Sequence, residues 1–190
     1  MPNWCENTLE ICGDENKMKE FYDFFGGQDK LQENFRFNNI KTLPQELDGT
    51  RSPSNIVSQE TYDKYTELEK KHTIKDSQDV VRLHKEGTIT EEERDMLWQE
   101  GITQEMSDRL ISEYGYDNWY DWQVHHWDTK WDIDEKLEIQ YTDESSATLL
   151  FQTAWSPPEA IVYKLQEMFP DITFYGGYVG EGWEFAGVFE

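Results

Sequence analysis

Apolar residues recur with a period of two near both ends of the chain and with a helical period between them. Asn7-Thr8-Leu9-Glu10-Ile11 alternates and predicts a strand. Asp14 is placed to cap a helix over roughly 15–25, with Met18, Phe21, Tyr22 and Phe25 on one face and Gly26-Gly27 as its stop. Phe35-Arg36-Phe37 reads as a second strand, and Leu43-Pro44 then breaks the pattern.

Residues 51–115 are amphipathic at helical spacing. Ser58 opens a helix bearing Tyr62, Tyr65 and Leu68, and Asp76 opens another bearing Val80, Val81 and Leu83. Thr90 and Glu93 form a capping-box pair for a third, with Met96 and Leu97. Thr103 opens a fourth, carrying Met106, Leu110, Ile111 and Tyr114, and Gly115 stops it. Residues 87–100 and 101–114 share a pattern of Ile-Thr, acidic, then apolar positions. Two copies do not make a solenoid, so the region reads as a small helical insertion.

Alternation returns at Leu137, Ile139 and Tyr141, followed by an Asp143-Glu144-Ser145-Ser146 turn. Ala147, Leu149, Phe151, Thr153 and Trp155 form one face of a long strand. Ser156-Pro157-Pro158-Glu159 offers a Ser N-cap, a Pro at the first helical position and a Glu at the third. The helix that follows carries Ile161, Leu165, Met168 and Phe169 and ends at Phe169-Pro170-Asp171. A strand over 172–179, a Gly180-Glu181-Gly182 turn and a last strand over 183–190, with Trp183, Phe185 and Phe189 on one face, complete the chain. The order predicts an α+β fold: a ferredoxin-like antiparallel sheet with helices on one face, plus a helical insertion. Three parts are expected: 1–50, a strand-helix-strand joining the sheet; 51–115, the insertion; and 116–190, a Trp-rich segment with the C-terminal ferredoxin-like half.

Composition changes this picture in two ways. Only 36% of the 190 residues are hydrophobic, yet 15% are aromatic, and large rings build a core that few aliphatics could not. Forty acidic against 17 basic residues give a net charge of −23, which repels phosphate backbones and anionic membranes and argues against direct nucleic-acid binding. Residues 131–190 carry two Lys, no Arg and twelve Asp or Glu. Cys5 and Cys12, on one strand, stand about 23 Å apart and cannot pair. Two cysteines, no signal-peptide pattern and no long apolar run lead to the expectation of a cytoplasmic protein.

The opening Met1-Pro2-Asn3-Trp4-Cys5-Glu6-Asn7, Leu43-Pro44-Gln45-Glu46-Leu47, Asn118-Trp119-Tyr120-Asp121-Trp122 with Thr129-Lys130-Trp131, Thr153-Ala154-Trp155-Ser156-Pro157-Pro158 and the closing Phe185-Ala186-Gly187 together resemble one family. It is the Api-ninety-two-like (YubB-like) family of phage and plasmid proteins. The resemblance spans both ends of the chain and leaves out the insertion, about 55–112. It implies a C-terminal ferredoxin-like domain and a mobile-element origin, and no activity. Asp128 stands where the resemblance leads one to expect Gly, at a turn that Asp tolerates better than most residues.

Candidate chemistry is sparse. Residues 116–131 hold Tyr116 and Tyr120 together with Trp119, Trp122, Trp127 and Trp131, four tryptophans within thirteen positions. Together with His125, His126 and Lys130 they form either an aromatic platform for a base or a partner side chain, or the core that packs the insertion onto the sheet. Neighbouring His125 and His126 diverge on a helix or a strand, so no metal site is expected. No activated nucleophile, P-loop or dinucleotide fingerprint is present, and neither catalysis nor a cofactor is expected. Asp132, Asp134, Glu135, Glu138, Asp143 and Glu144 are candidates for an acidic face. The expected function is binding: an acidic inhibitor of a host nucleic-acid-handling or defence protein with a basic surface, by nucleic-acid charge mimicry of the anti-CRISPR or anti-restriction type. The alternative is a small-ligand or nucleotide binder using a Trp-rich pocket.

Overall fold

The computed structural model describes residues 3–133 and 137–189. In chain order the elements are β1 (Trp4–Cys12), α1 (Glu15–Phe24), the short helices α2 (Leu31–Asn34) and α3 (Phe37–Ile40), α4 (Gln59–His72), α5 (Ser77–Lys85), α6 (Glu91–Leu97), α7 (Gln104–Tyr114) and α8 (Trp119–Trp127). They continue with β2 (Glu138–Thr142), β3 (Ser146–Ala154), α9 (Glu159–Met168), β4 (Thr173–Gly180) and β5 (Ala186–Phe189). The chain divides into two compact units, Met1–Leu43 with Gln123–Glu190, and Pro44–Trp122.

The first unit is built on a five-stranded antiparallel sheet of order β2-β3-β1-β4-β5. Strand β1 lies between β3 and β4, with Leu9 opposite Leu149 on one side and Gly176 on the other. Side chains alternate across the pleat, so Cys5, Asn7, Leu9 and Ile11 face the core with Ala147, Leu149, Phe151 and Thr153. Aromatic rings fill the space between this face and the helices. Phe21 meets Tyr22, Phe25, Phe169 and Phe174 edge-on at 5.1–6.0 Å between centroids. The chain of contacts runs on through Phe35, Phe151 and Phe37 to Trp127. Each such pair contributes about 0.5–1.5 kcal/mol beyond burial, which is how a chain poor in aliphatics holds a core. Buried Asn7 is satisfied by donating to Cys5 O, Phe151 O and Thr153 Oγ1.

The second unit is helical. Ser58, Asp76, Thr90 and Thr103 cap α4, α5, α6 and α7 as their sequence positions predict, and Thr90 and Glu93 complete the capping box. Val80, Leu83, Ile89 and Leu97 form one buried cluster in it, with Leu68 and Ile74 packed against them. Tyr65 OH donates to Gly101 O at 2.5 Å. A hub at Asp117 accepts from Ser54 Oγ and Ser107 Oγ, both at 2.6 Å.

Four local expectations are corrected. Phe35-Arg36-Phe37 is not a strand: Phe35 ends α2 and Phe37 opens α3, and Arg36 alone between them is extended, which lets both rings enter the core. Trp155 does not continue the inward face of β3. The strand stops at Ala154, and Trp155 turns outward with φ 76°. Helix α9 begins at Glu159, and Ser156 does not cap it: Ser156 Oγ donates to Asp128 O, while Asp128 Oδ2 accepts the Ala160 N–H at 2.7 Å. Finally, β5 starts at Ala186, and Trp183 lies in the 3-10 turn Glu181–Trp183, fully outside the core.

Candidate functional site

The Trp-rich segment is divided between the two units. Trp119 and Trp122 fall in the second unit, and Trp127 and Trp131 in the first. Helix α8 buries Trp122 and Trp127, and Trp127 Nε1 donates to Lys41 O at 2.9 Å. Trp119 is half-buried, and its N–H donates to Thr50 Oγ1 at 3.0 Å. His125 is exposed and stacks edge-on against His126 at 4.9 Å. Burial, with Lys41 and His125 nearby, holds His126 below the ordinary histidine value. Among the described residues, no group of three or more His, Cys, Asp or Glu is placed to hold a metal. A hollow of about 580 Å³ lies elsewhere, lined by Val81, Arg82, Lys85 and Trp98.

Lys130 and Trp131 do reach the surface, joined by a residue from outside the segment. Lys130 Nζ lies 4.5 Å from the Trp131 ring centroid and 5.0 Å from that of Trp155. Both rings are about half exposed. The backbone here is held from several sides. Asp128 has φ 60°, as its position in the turn requires, and its carboxylate sits at the N-terminus of α9. Burial raises that carboxyl, against the hydrogen bond from Ala160. Thr153 Oγ1 donates to Ser156 O at 2.7 Å, and Trp155 N–H donates to Asn3 O at 2.9 Å.

The candidate acidic residues divide by role. Asp132 accepts from the N–H groups of Phe37, Asn38 and Ile133 at 2.6–3.0 Å and so fixes the start of α3. Asp143 accepts from Ser145 N, Ser146 N and Tyr141 OH, and these bonds, the Tyr141 one foremost, hold it well below the carboxylate range. Both serve the backbone. Asp134 and Glu135 lie outside the described residues. Glu138 and Glu144 are exposed.

Glu138 belongs to a set that the sequence reading missed. The sheet face opposite the core is uncovered. The cross-strand registers place Glu138, Leu150, Thr8, Gly177 and Val188 in one row, and Tyr141, Thr148, Glu10 and Tyr175 in the next. A third row holds Gln152, Glu6, Val179 and Ala186, with Gln152 donating to Glu6. Tyr175 is pushed up to about 12 by its hydrogen bond to Glu10 and its contact with Cys12. Among the described residues, these rows contain no Lys or Arg. Simple alternation in β1 carried the signal, since Glu6, Thr8 and Glu10 are its polar phase.

Strand order β4-β1-β3-β2 with α1 and α9, and β5 added beside β4, defines an α+β protein with a ferredoxin-like antiparallel sheet. Residues 126–190 match the family model described as the ferredoxin-like domain in Api92-like protein. The chain is also similar to the crystal structure of a protein api92 from Yersinia pseudotuberculosis, at 13% identity and a TM-score of 0.44, over 99% of this chain and 93% of that one. No curated protein matches it. No helix among the described residues is long and apolar enough to cross a membrane.

Proposed function

We propose that this protein is a mobile-element accessory protein of the bacterial cytoplasm. It acts by presenting carboxylates to the basic surface of a host protein that handles nucleic acid or serves in defence. One observation carries the reading: the uncovered sheet face bears Glu6, Glu10 and Glu138 and, among the described residues, no cation. A solubilising surface mixes signs. The second unit does so, pairing Lys64 with Glu60, Arg82 with Asp79 and Arg109 with Glu46. A one-signed face instead projects a field that steers a basic partner and repels nucleic acid. Small-ligand binding at the Trp-rich segment gains no support, because Trp122 and Trp127 are core residues.

The test is affinity capture from bacterial lysate with the wild-type chain and with E6K/E10K/E138K. A basic nucleic-acid-handling protein should be retained at low salt. It should be released as the Debye length falls from about 10 Å at 0.1 M to about 3 Å at 1 M, and lost in the triple variant. Retention of the same proteins by wild type and triple variant at every ionic strength would sink the reading.

A further inference from the structure

Three chain segments meet at the end of the sheet where β1 begins. Trp4 opens β1, Trp155 follows β3 with its N–H on Asn3 O, and Glu181 follows β4 and accepts the Trp4 N–H at 3.1 Å. Two of the tryptophans here have left-handed backbone, Trp155 at φ 76° and Trp183 at φ 63°. A bulky residue in that region is strained. Burial does not offset it, since Trp155 is 44% and Trp183 85% exposed.

The loop that carries Trp183 is nevertheless braced. Gly180 N–H donates to Phe185 O at 2.9 Å, and the Phe185 ring lies so close over Gly180 that a Cβ there would sit 2.5 Å from it. The ring of Trp183 is therefore held out in solvent by a closed turn, with Glu181 and Glu184 beside it in sequence. Exposed tryptophan on a pre-ordered support is the composition of an interface anchor.

We propose that this end of the sheet is an anchor for arginine side chains of a protein partner, with Trp183 as the stacking surface and the Glu181 and Glu184 carboxylates as the ion-pairing rim. The inference rests on the basic-partner reading above and names the contact that partner makes. Charge selects the occupant. The neighbouring Trp131 and Trp155 rings already carry a cation, Lys130, over their faces. Glu181 keeps one carboxylate oxygen beyond the one bonded to Trp4. A guanidinium stacks on indole and pairs with a carboxylate in the same plane, which an ammonium does not do. A nucleobase also stacks on tryptophan, but its phosphate would meet Glu181, Glu184 and Glu6.

The test uses the full chain and fluorescence or calorimetric titration with an arginine-glycine peptide, its lysine counterpart and a single-stranded oligonucleotide. The arginine peptide should bind more tightly than the lysine peptide. W183A should weaken it about 10-fold or more, a loss of about 1.4 kcal/mol, with unchanged circular dichroism. E181Q/E184Q should remove the salt dependence of that binding. Equal affinity for the two peptides, no effect of W183A, or tighter binding of the oligonucleotide would each overturn the anchor. The two readings fail separately: a partner captured through Glu6, Glu10 and Glu138 but indifferent to W183A leaves the acidic face standing and removes the anchor.

Discussion

Asp128 shows how one residue joins two constraints. Its φ of 60° suits Gly, yet its carboxylate supplies the cap that α9 lacks from its own sequence, where Pro158 offers no side-chain acceptor. Glycine relieves the backbone and loses the cap, whereas alanine loses both. D128A should cost about 1 kcal/mol for the cap and about 1–2 kcal/mol for the left-handed backbone, and D128G only about the first, read by urea denaturation. The carboxyl is raised by burial, so its contribution is fully present below the unfolded value of about 3.9 and is lost as pH rises through the raised folded value. The stability advantage of wild type over D128N should therefore shrink as pH climbs from about 4 toward neutrality. A constant difference across that range would contradict the assigned environment.

At the scale of elements, β1 is the part on which the sheet depends. Strands β3 and β4 make no pairs with each other; each pairs with β1 along its length. The matched domain, residues 126–190, thus contains four of the five strands and lacks the central one. Gly176 marks how closely β1 and β4 approach, since a Cβ there would sit 2.0 Å from Thr8 O, at a φ of 148°. A fragment of residues 126–190 should show no cooperative unfolding and poor dispersion by NMR, and should gain both when 1–43 is supplied in trans. Independent folding of the fragment would show that the central strand is dispensable. The helices of the second unit were legible because capping is local: Ser58, Asp76, Thr90 and Thr103 each bond N–H groups two or three residues away. The start of α9 was misread because its acceptor lies 32 residues upstream.

Across the whole molecule, charge is shared rather than segregated. The first unit has 21 acidic and 8 basic residues, net −13, and the second 19 and 9, net −10. The helices of both units carry ion pairs, Lys30 with Glu33 and Lys164 with Glu167 in the first among them, and the difference lies at the sheet face. Exposed ion pairs such as Arg94 with Glu91 and Arg109 with Glu113 contribute little to stability, about 0–1 kcal/mol, but they cancel charge locally on the helices. The uncovered sheet face has no such cancellation. Self-repulsion at −23 should make thermal stability rise as salt is added from about 0.01 M to about 0.5 M, where the Debye length falls below about 5 Å. A melting temperature insensitive to salt would mean that local pairing already balances the field.

The sequence by itself determined the α+β class, the starts of α4 to α7, the phases of β1 and of β3 as far as Ala154, and the sign of the surface, because each depends on periodicity, a cap within three residues, or a count. Only the tertiary structure decided which tryptophans are core and which are surface. Trp122 and Trp127 go inward, while Trp131, Trp155 and Trp183 remain exposed. Sequence spacing cannot separate them, since an indole buries or stacks equally well, and what turns Trp155 outward is a hydrogen-bond set drawn from Asn3, Asp128 and Thr153. The same holds for Asp132. It reads as surface charge along the chain, and only the Phe37 and Asn38 N–H groups that folding brings to it turn it into a structural acceptor, whereas Asp143 bonds N–H groups two and three residues on, within its own turn.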